Sequence, residues 1–349
     1  MKRMLFSFVL CFLSVFSAFA GNADSLSFAA YCNQGKDAVN EGDIDAARTL
    51  FRKAEKLSIE QNNLPNQYKI YGYWVSFYTD LAQEYDSAML CSQKMLEIAS
   101  QTRNDSLIAD ANYNLSVSYA NFGYYQTSIE YLIKSLSYYE KKTDKMMMGK
   151  MYNTLAATYV ELGAMDKAIT YGEKAETLVK GTPRYLYTMI NLAVAYAYNY
   201  PPQYPKAEKY YEQILAMLRQ NPNKYLELTA YSNLADLYNR QNKWTQAEKL
   251  YNKTLVMAEE AHNDLYVGMC KQGLAYIELY KNNIAKAEQL NSEALAIARK
   301  NETLFNEQTA LEFMGDLCIA KRDFVIMRRW YYMSDSVEHI ITNEQILNA

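Results

Sequence analysis

Apolar and small residues return along this chain in a frame of about forty positions, with polar residues filling the intervals. The clearest mark of the frame is a small residue at Ala47, Ala88, Ser128, Ala168, Ala207, Ala247 and Ala287, at spacings of 41, 40, 40, 39, 40 and 40. A further step of 40 reaches Met327. Thirteen residues before most of these anchors stands an apolar residue: Val75, Leu115, Leu155, Leu234, Leu274 and Met314, with Leu192 two places further upstream in the fifth unit. The position after it is always small, running from Gly35 and Ser76 through Ser116, Ala156, Ala193, Ala235 and Ala275 to Gly315. Four residues after the apolar position comes Tyr119, Tyr159, Tyr196 or Tyr238, a step that puts both side chains on one helical face.

Five residues before the anchor lies Gly42, Gly123, Gly163, Asn242 or Asn282, residue types that tolerate a left-handed backbone and so end a helix. After the anchor, large side chains at +3 and +4 (Leu50 and Phe51, Tyr131 and Leu132, Tyr210 and Tyr211, Leu250 and Tyr251, Trp330 and Tyr331) predict a second helix with its own inward stripe. Each unit therefore reads as helix A, a tight turn and helix B. One hairpin cannot bury its apolar face alone, so neighbours must stack.

This pattern resembles the tetratricopeptide repeat, a 34-residue helix–turn–helix. The sixth unit carries Tyr231, Leu234, Ala235, Tyr238, Asn242, Ala247, Tyr251 and Thr254 at the family's positions. The fourth carries Tyr152, Leu155, Ala156, Tyr159, Gly163, Ala168 and Ala175, with Gly172 in place of the usual aromatic. The period is longer than the family's, most closing prolines are missing, and units two and eight diverge at Gln83 and Met327. The resemblance implies an all-α fold, a right-handed superhelical solenoid of about eight repeats. Their expected bounds are near 28–61, 69–102, 109–142, 149–182, 186–221, 228–261, 268–301 and 308–341, followed by a short C-terminal cap or a dimerisation surface after Met333.

The first twenty residues read differently. Lys2 and Arg3 precede an apolar run from Met4 to Phe19, and Ala18-Phe19-Ala20 is a small-x-small cleavage site before Gly21. A secretory signal peptide over 1–20 is expected, with the array over 21–349. The protein is then exported, to the periplasm, the cell envelope or the medium, with no membrane span after cleavage. Loss of Lys2 and Arg3 takes the formal charge from −3 to −5, which argues against nucleic acid as a partner. Cys32, Cys91, Cys270 and Cys318 show no metal or CxxC spacing and read as packed thiols. No metal or cofactor is expected. His262 and His339 lack catalytic company in the sequence, and no phosphate loop or nucleophile elbow is present, so no enzyme is expected.

In the family, the A helices line the binding groove. Carried over by position, the candidate groove residues are Tyr73, Phe77, Asp80, Tyr113, Asn121, Asn153, Tyr187, Asn191, Asp236, Asn239, Arg240, Gln272, Tyr276 and Tyr280, with Asp110 and Tyr198 beside them. Tyrosine offers contact area at little entropic cost, and the amides match a peptide backbone. Asn33, Asn114, Asn191 and Asn233 recur just before the apolar position, where an amide bonds either a neighbouring helix or a ligand. The expectation is a non-enzymatic scaffold that binds a protein or peptide, as monomer or homodimer. The alternative is an extracytoplasmic sensor-type module of a signalling or transcription-regulator system, lacking its output domain.

Overall fold

The structure, a computed structural model, describes residues 24–82, 84–301 and 303–347. The expected signal peptide and the divergent turn residue Gln83 lie outside the described residues. Sixteen α-helices and no strand occur among the described residues. They pair as α1 (Asp24–Glu41) with α2 (Ile44–Glu60), α3 (Leu64–Ser76) with α4 (Tyr85–Thr102), and α5 (Asp105–Asn121) with α6 (Tyr125–Lys141). Next come α7 (Lys145–Glu161) with α8 (Met165–Val179), α9 (Arg184–Tyr198) with α10 (Tyr204–Gln220), and α11 (Lys224–Arg240) with α12 (Trp244–Glu260). The last pairs are α13 (Asp264–Tyr280) with α14 (Ile284–Lys300), and α15 (Leu304–Ala320) with α16 (Phe324–Leu347). The described chain divides into two compact units, up to Met151 and from Tyr152 onward.

The fold is all-α, built from helical repeats as the spacing predicts. The long period has a simple origin. α5 and α6, like α11 to α14, have 17 residues each. Turns of three residues follow most of them, so two helices and two turns fill forty positions. The region after Met333 continues α16 unbroken to Leu347.

Gly42, Gly123, Gly163, Asn242 and Asn282 all take the left-handed conformation, with φ of 77°, 80°, 75°, 59° and 61°. The turns between hairpins use the same device at Asn62, Arg103, Thr143 and His262. At Asn242 the amide donates to the Asn239 carbonyl and the next amide to Tyr238, which satisfies two helix-end carbonyls. His262 is thus a turn residue, with φ 51°. Asn63, Asn104, Asn223 and Asn263 then cap the following A helices through their side-chain oxygens. Thr143 is the β-branched member of this set, at φ 54°. Thr143→Gly is expected to raise the free energy of unfolding by about 1 kcal/mol in a urea titration, by relief of αL strain.

The anchors are packing positions. Ala47, Ser128, Ala207, Ala247 and Ala287 are wholly enclosed. Glycine on the A helices admits a bulky partner. A Cβ on Gly35 would lie 2.4 Å from the ring of Phe51, on the B helix of the same hairpin, and one on Gly315 would lie 2.6 Å from Tyr331. Gly273 of α13 receives Tyr251 of α12 at 2.2 Å. The rings at +4 therefore pack within hairpins as well as between them. Cys32, Cys91, Cys270 and Cys318 are free and buried, and burial pushes the first three thiols up to about 12.

Successive hairpins are also tied by charge. Lys243, Lys281 and Lys321, in the hairpin turns, reach back to Glu208, Glu248 and Glu288 at 3.1, 2.6 and 2.6 Å. Each glutamate directly follows an anchor alanine. Glu278 is the enclosed member of this system. Burial raises its pKa, but Asn283 Nδ2 at 2.7 Å and the ammonium groups of Lys281 and Lys286 outweigh that and hold it below 4.5. Lys271, in hydrogen-bond contact, lowers Glu293 as well. A carboxylate with a depressed folded pKa stabilises fully above its unfolded value, and that stability is lost as pH falls through the folded value. Unfolding free energy should therefore decline as pH falls below the ordinary carboxylate value, and Glu278→Gln should flatten the decline.

Candidate ligand-binding face of the A helices

In the unit up to Met151, the candidate residues separate into core and surface. Tyr73 is half-buried, stacked on Phe51 at 5.9 Å, with Lys36 and Lys69 over its ring. Burial raises its hydroxyl to about 12. Phe77, expected in the groove, is instead only 1% exposed, wedged against Phe51, Trp74 and Tyr78. The position is core in much of the array: Val117, Ala157, Val194 and Asp236, which also stand two residues after the apolar position, are buried as well. Tyr113 is likewise core at 1% exposure, with Lys150 Nζ 3.7 Å from its ring centre. Alanine at Phe77 or Tyr113 would cost several kcal/mol of packing, roughly 3–5 for a buried aromatic, so neither reports on binding. Asn121 is half-buried near the end of α5, and the side chain of Asp80 lies outside the described residues. Asp110 accepts a hydrogen bond from Tyr68 Oη at 2.7 Å, and Asn114 Nδ2 donates to the Asp110 carbonyl at 3.1 Å.

In the unit from Tyr152 onward, the A helices are joined by a polar ladder. Thr188 Oγ1 and Asn191 Nδ2 both donate to Asn153 Oδ1, at 2.8 and 3.2 Å, tying α9 to α7. Asn153 and Asn191 are nearly enclosed, so the recurring amide here serves a neighbouring helix. Thr229 and Tyr266 share a 2.7 Å hydrogen bond between α11 and α13. Tyr187 is half-buried and packs into the core beneath α9.

One constellation on this ladder stands apart. Tyr198 Oη donates to Asp236 Oδ2 at 2.7 Å, and Arg240 Nε donates to the same oxygen at 2.7 Å. The guanidinium carbon of Arg240 lies 3.7 Å from the centre of the Tyr198 ring. Burial and the neighbouring carboxylate push the Tyr198 hydroxyl well above its ordinary value, so it remains a donor. Asn239 shares the face with Asp236 and Arg240 through the i, i+3, i+4 spacing. Its Oδ1, and Nε2 of half-buried Gln272 on α13, are enclosed with no hydrogen-bond partner among the described residues. Beyond Gln272 on the same face lie Tyr276, edge-on to Phe313 at 4.4 Å, and Tyr280, 64% exposed against Trp244 at 4.5 Å. An acceptor, a donor, an ion pair and exposed aromatic surface together match the needs of a polar chain laid across the helices. No group of three or more His, Cys, Asp or Glu side chains suited to a metal occurs among the described residues.

Spacing located Asp236, Arg240, Asn239 and Gln272 but did not show which would be paired. Thr188, Tyr68 and Tyr266 were missed by sequence reasoning. The repeated Ala-Glu at 207–208, 247–248 and 287–288 was a visible signal for the charge ties between hairpins.

Profiles described as tetratricopeptide repeat match residues 191–260 and 226–300, and residues 109–142 and 149–178. No curated protein matches the sequence. Among solved structures, a Rap protein complexed with competence and sporulation factor aligns with TM-score 0.67 at 13% identity, covering 92% of this chain and 99% of that one. NprR in complex with its cognate peptide NprX aligns with TM-score 0.63 at 16% identity, covering 91% and 90%. A tetratricopeptide repeat protein from Parabacteroides merdae aligns with TM-score 0.55 at 13% identity, covering 82% and 98%. With the profile matches, the helix–turn–helix repeats and the left-handed turns at their expected places, this chain belongs to the tetratricopeptide repeat family.

Proposed function

We propose that this protein is a non-enzymatic binding module that takes an extended peptide, or a peptide segment of a protein, on the A-helix face of α9, α11 and α13. The observation that carries the reading is the pair of enclosed, unpartnered amide atoms, Asn239 Oδ1 and Gln272 Nε2, beside the Tyr198–Asp236–Arg240 cluster. Other enclosed side-chain atoms also lack a partner among the described residues, including Asn66 Nδ2, Thr79 Oγ1 and Gln241 Nε2. Asn239 and Gln272 are singled out by the charged and aromatic side chains on their helix faces, and a peptide backbone supplies both a donor and an acceptor. The fold shared with proteins solved in complex with peptides supports the same reading.

The apolar start of the sequence favours export to the periplasm, envelope or medium as the setting. Mass spectrometry of the mature protein should then find Gly21 as the first residue. An uncleaved chain would remove that part of the reading.

Selection from a displayed peptide library on the full chain tests the binding reading. Selected peptides should lose about tenfold in affinity on Asn239→Ala, the worth of about one buried hydrogen bond. Val256→Ser, at an exposed position of helix α12, should leave affinity unchanged. Equal binding to wild type and Asn239→Ala would remove this face from the account.

A further inference from the structure

The first turns of α16 carry a run of exposed apolar side chains that the peptide reading does not use. Phe324, Val325, Ile326 and Tyr332 are 59%, 85%, 47% and 73% exposed. Single exposed apolar residues are ordinary on a protein surface, but a contiguous group is a mark of contact with something else. Arg322, Arg328 and Arg329 surround them, all exposed, and form no ion pair among the described residues. Neighbouring Lys321, by contrast, is held by Glu288.

The placement is ordered. Val325, Arg328, Arg329, Tyr332, Ser336 and His339 follow the i, i+3, i+4, i+7 spacing of one helical stripe, and every one of them is exposed. The opposite stripe, with Ser334 and Val337, is buried, and Val337 packs with Ala310 and Leu311 of α15. The helix is thus anchored on one side and presents apolar, aromatic and cationic groups on the other. Between Val325 and His339 the centre of the stripe holds no carboxylate: Asp323 turns its Oδ1 to the amide of Ile326 at 3.1 Å, exposed Asp335 falls at the edge beside Arg328, and Glu338 falls beyond it by spacing.

We propose that this stripe of α16 docks the protein on an anionic membrane surface. Valine, phenylalanine and tyrosine side chains enter the boundary between headgroups and acyl chains, and the arginines meet lipid phosphates. No helix among the described residues is long and apolar enough to cross a membrane, so the contact is peripheral. The whole chain carries a formal charge of −3, so overall charge does not draw it to such a surface and the local patch must do so. A second copy of the chain is a poorer occupant. A two-fold contact through this stripe would bring the arginines of one copy toward those of the other.

Co-sedimentation of the full chain tests this, with vesicles of phosphatidylglycerol and phosphatidylcholine against vesicles of phosphatidylcholine alone. Binding is expected to the anionic vesicles only and should fall with added salt. The double variant Arg328→Gln, Arg329→Gln should lower the partition coefficient about thirtyfold, and Val325→Ser about tenfold or more, with helical circular dichroism unchanged. Absence of binding to anionic vesicles, or equal binding by these variants, would overturn the proposal. So would a dimer in light scattering that Val325→Asp dissociates, since the stripe would then be an interface between copies.

Discussion

Asp236→Ala should destabilise the protein by about 3–5 kcal/mol, the largest loss expected from any single polar substitution on the A-helix face. The carboxylate is the common acceptor for Tyr198 Oη and Arg240 Nε, and it is only 10% exposed. Its removal leaves a guanidinium that is itself 29% exposed, stacked on an aromatic ring, with no other ion-pair partner among the described residues. The cost comes from the stranded charge more than from the lost attraction. Asp236→Ala together with Arg240→Met should therefore recover most of the stability, because an apolar side chain of similar length replaces the cation. Chemical unfolding of the two variants checks this. A single variant as costly as the double one would show that the pair is not coupled.

Gly273→Ala is expected to cost about 2–3 kcal/mol, an unusual loss for the addition of one methyl group. The new Cβ would lie 2.2 Å from Cζ of Tyr251 and 2.6 Å from both Cε atoms, and Tyr251 has no room to withdraw at 3% exposure. Either the ring leaves its rotamer or α12 and α13 move apart. The penalty belongs to the pair, so a double-mutant cycle with Tyr251→Ala should abolish it. An equal penalty in both backgrounds would place its origin in the helix backbone, and the close approach of the ring would not be its cause.

These two sites show what the sequence makes legible. Helix ends, turns and anchors could be read because they are local. Asn242 and Asn282 were recognised as left-handed turn residues from identity and spacing alone, and Ala207, Ala247 and Ala287 as packing positions from their period. Lateral pairing is not local. Nothing in the spacing of Tyr198 and Asp236 distinguishes a groove pair from two separate ligand contacts, since both lie on the same helical face whichever way their side chains turn. Phe77 was misplaced because its place, two residues after the apolar position, faces the core in units two to six, which the family's groove positions do not reveal. Tyr113 was misplaced for another reason. α5 is buried around nearly its whole circumference from Ala111 to Ser118, so helical face alone does not separate groove from core there.

Glycine at 35, 273 and 315 marks where a ring from another helix enters, so the informative unit is the glycine together with its aromatic partner. Gly35 with Phe51 and Gly315 with Tyr331 share one spacing, and that spacing was available in the sequence.

If the A-helix face takes a peptide, the enclosed amides on α11 and α13 are kept for that ligand at a cost to the free protein. Gln272→Leu tests it through two readings on one variant: thermal unfolding without ligand, and calorimetric titration with a library-selected peptide. An unpartnered buried Nε2 costs stability, so the leucine variant should unfold at the same temperature as wild type or higher, while peptide affinity falls about tenfold. A variant that loses stability and keeps its affinity would contradict the claim and make Gln272 a structural residue.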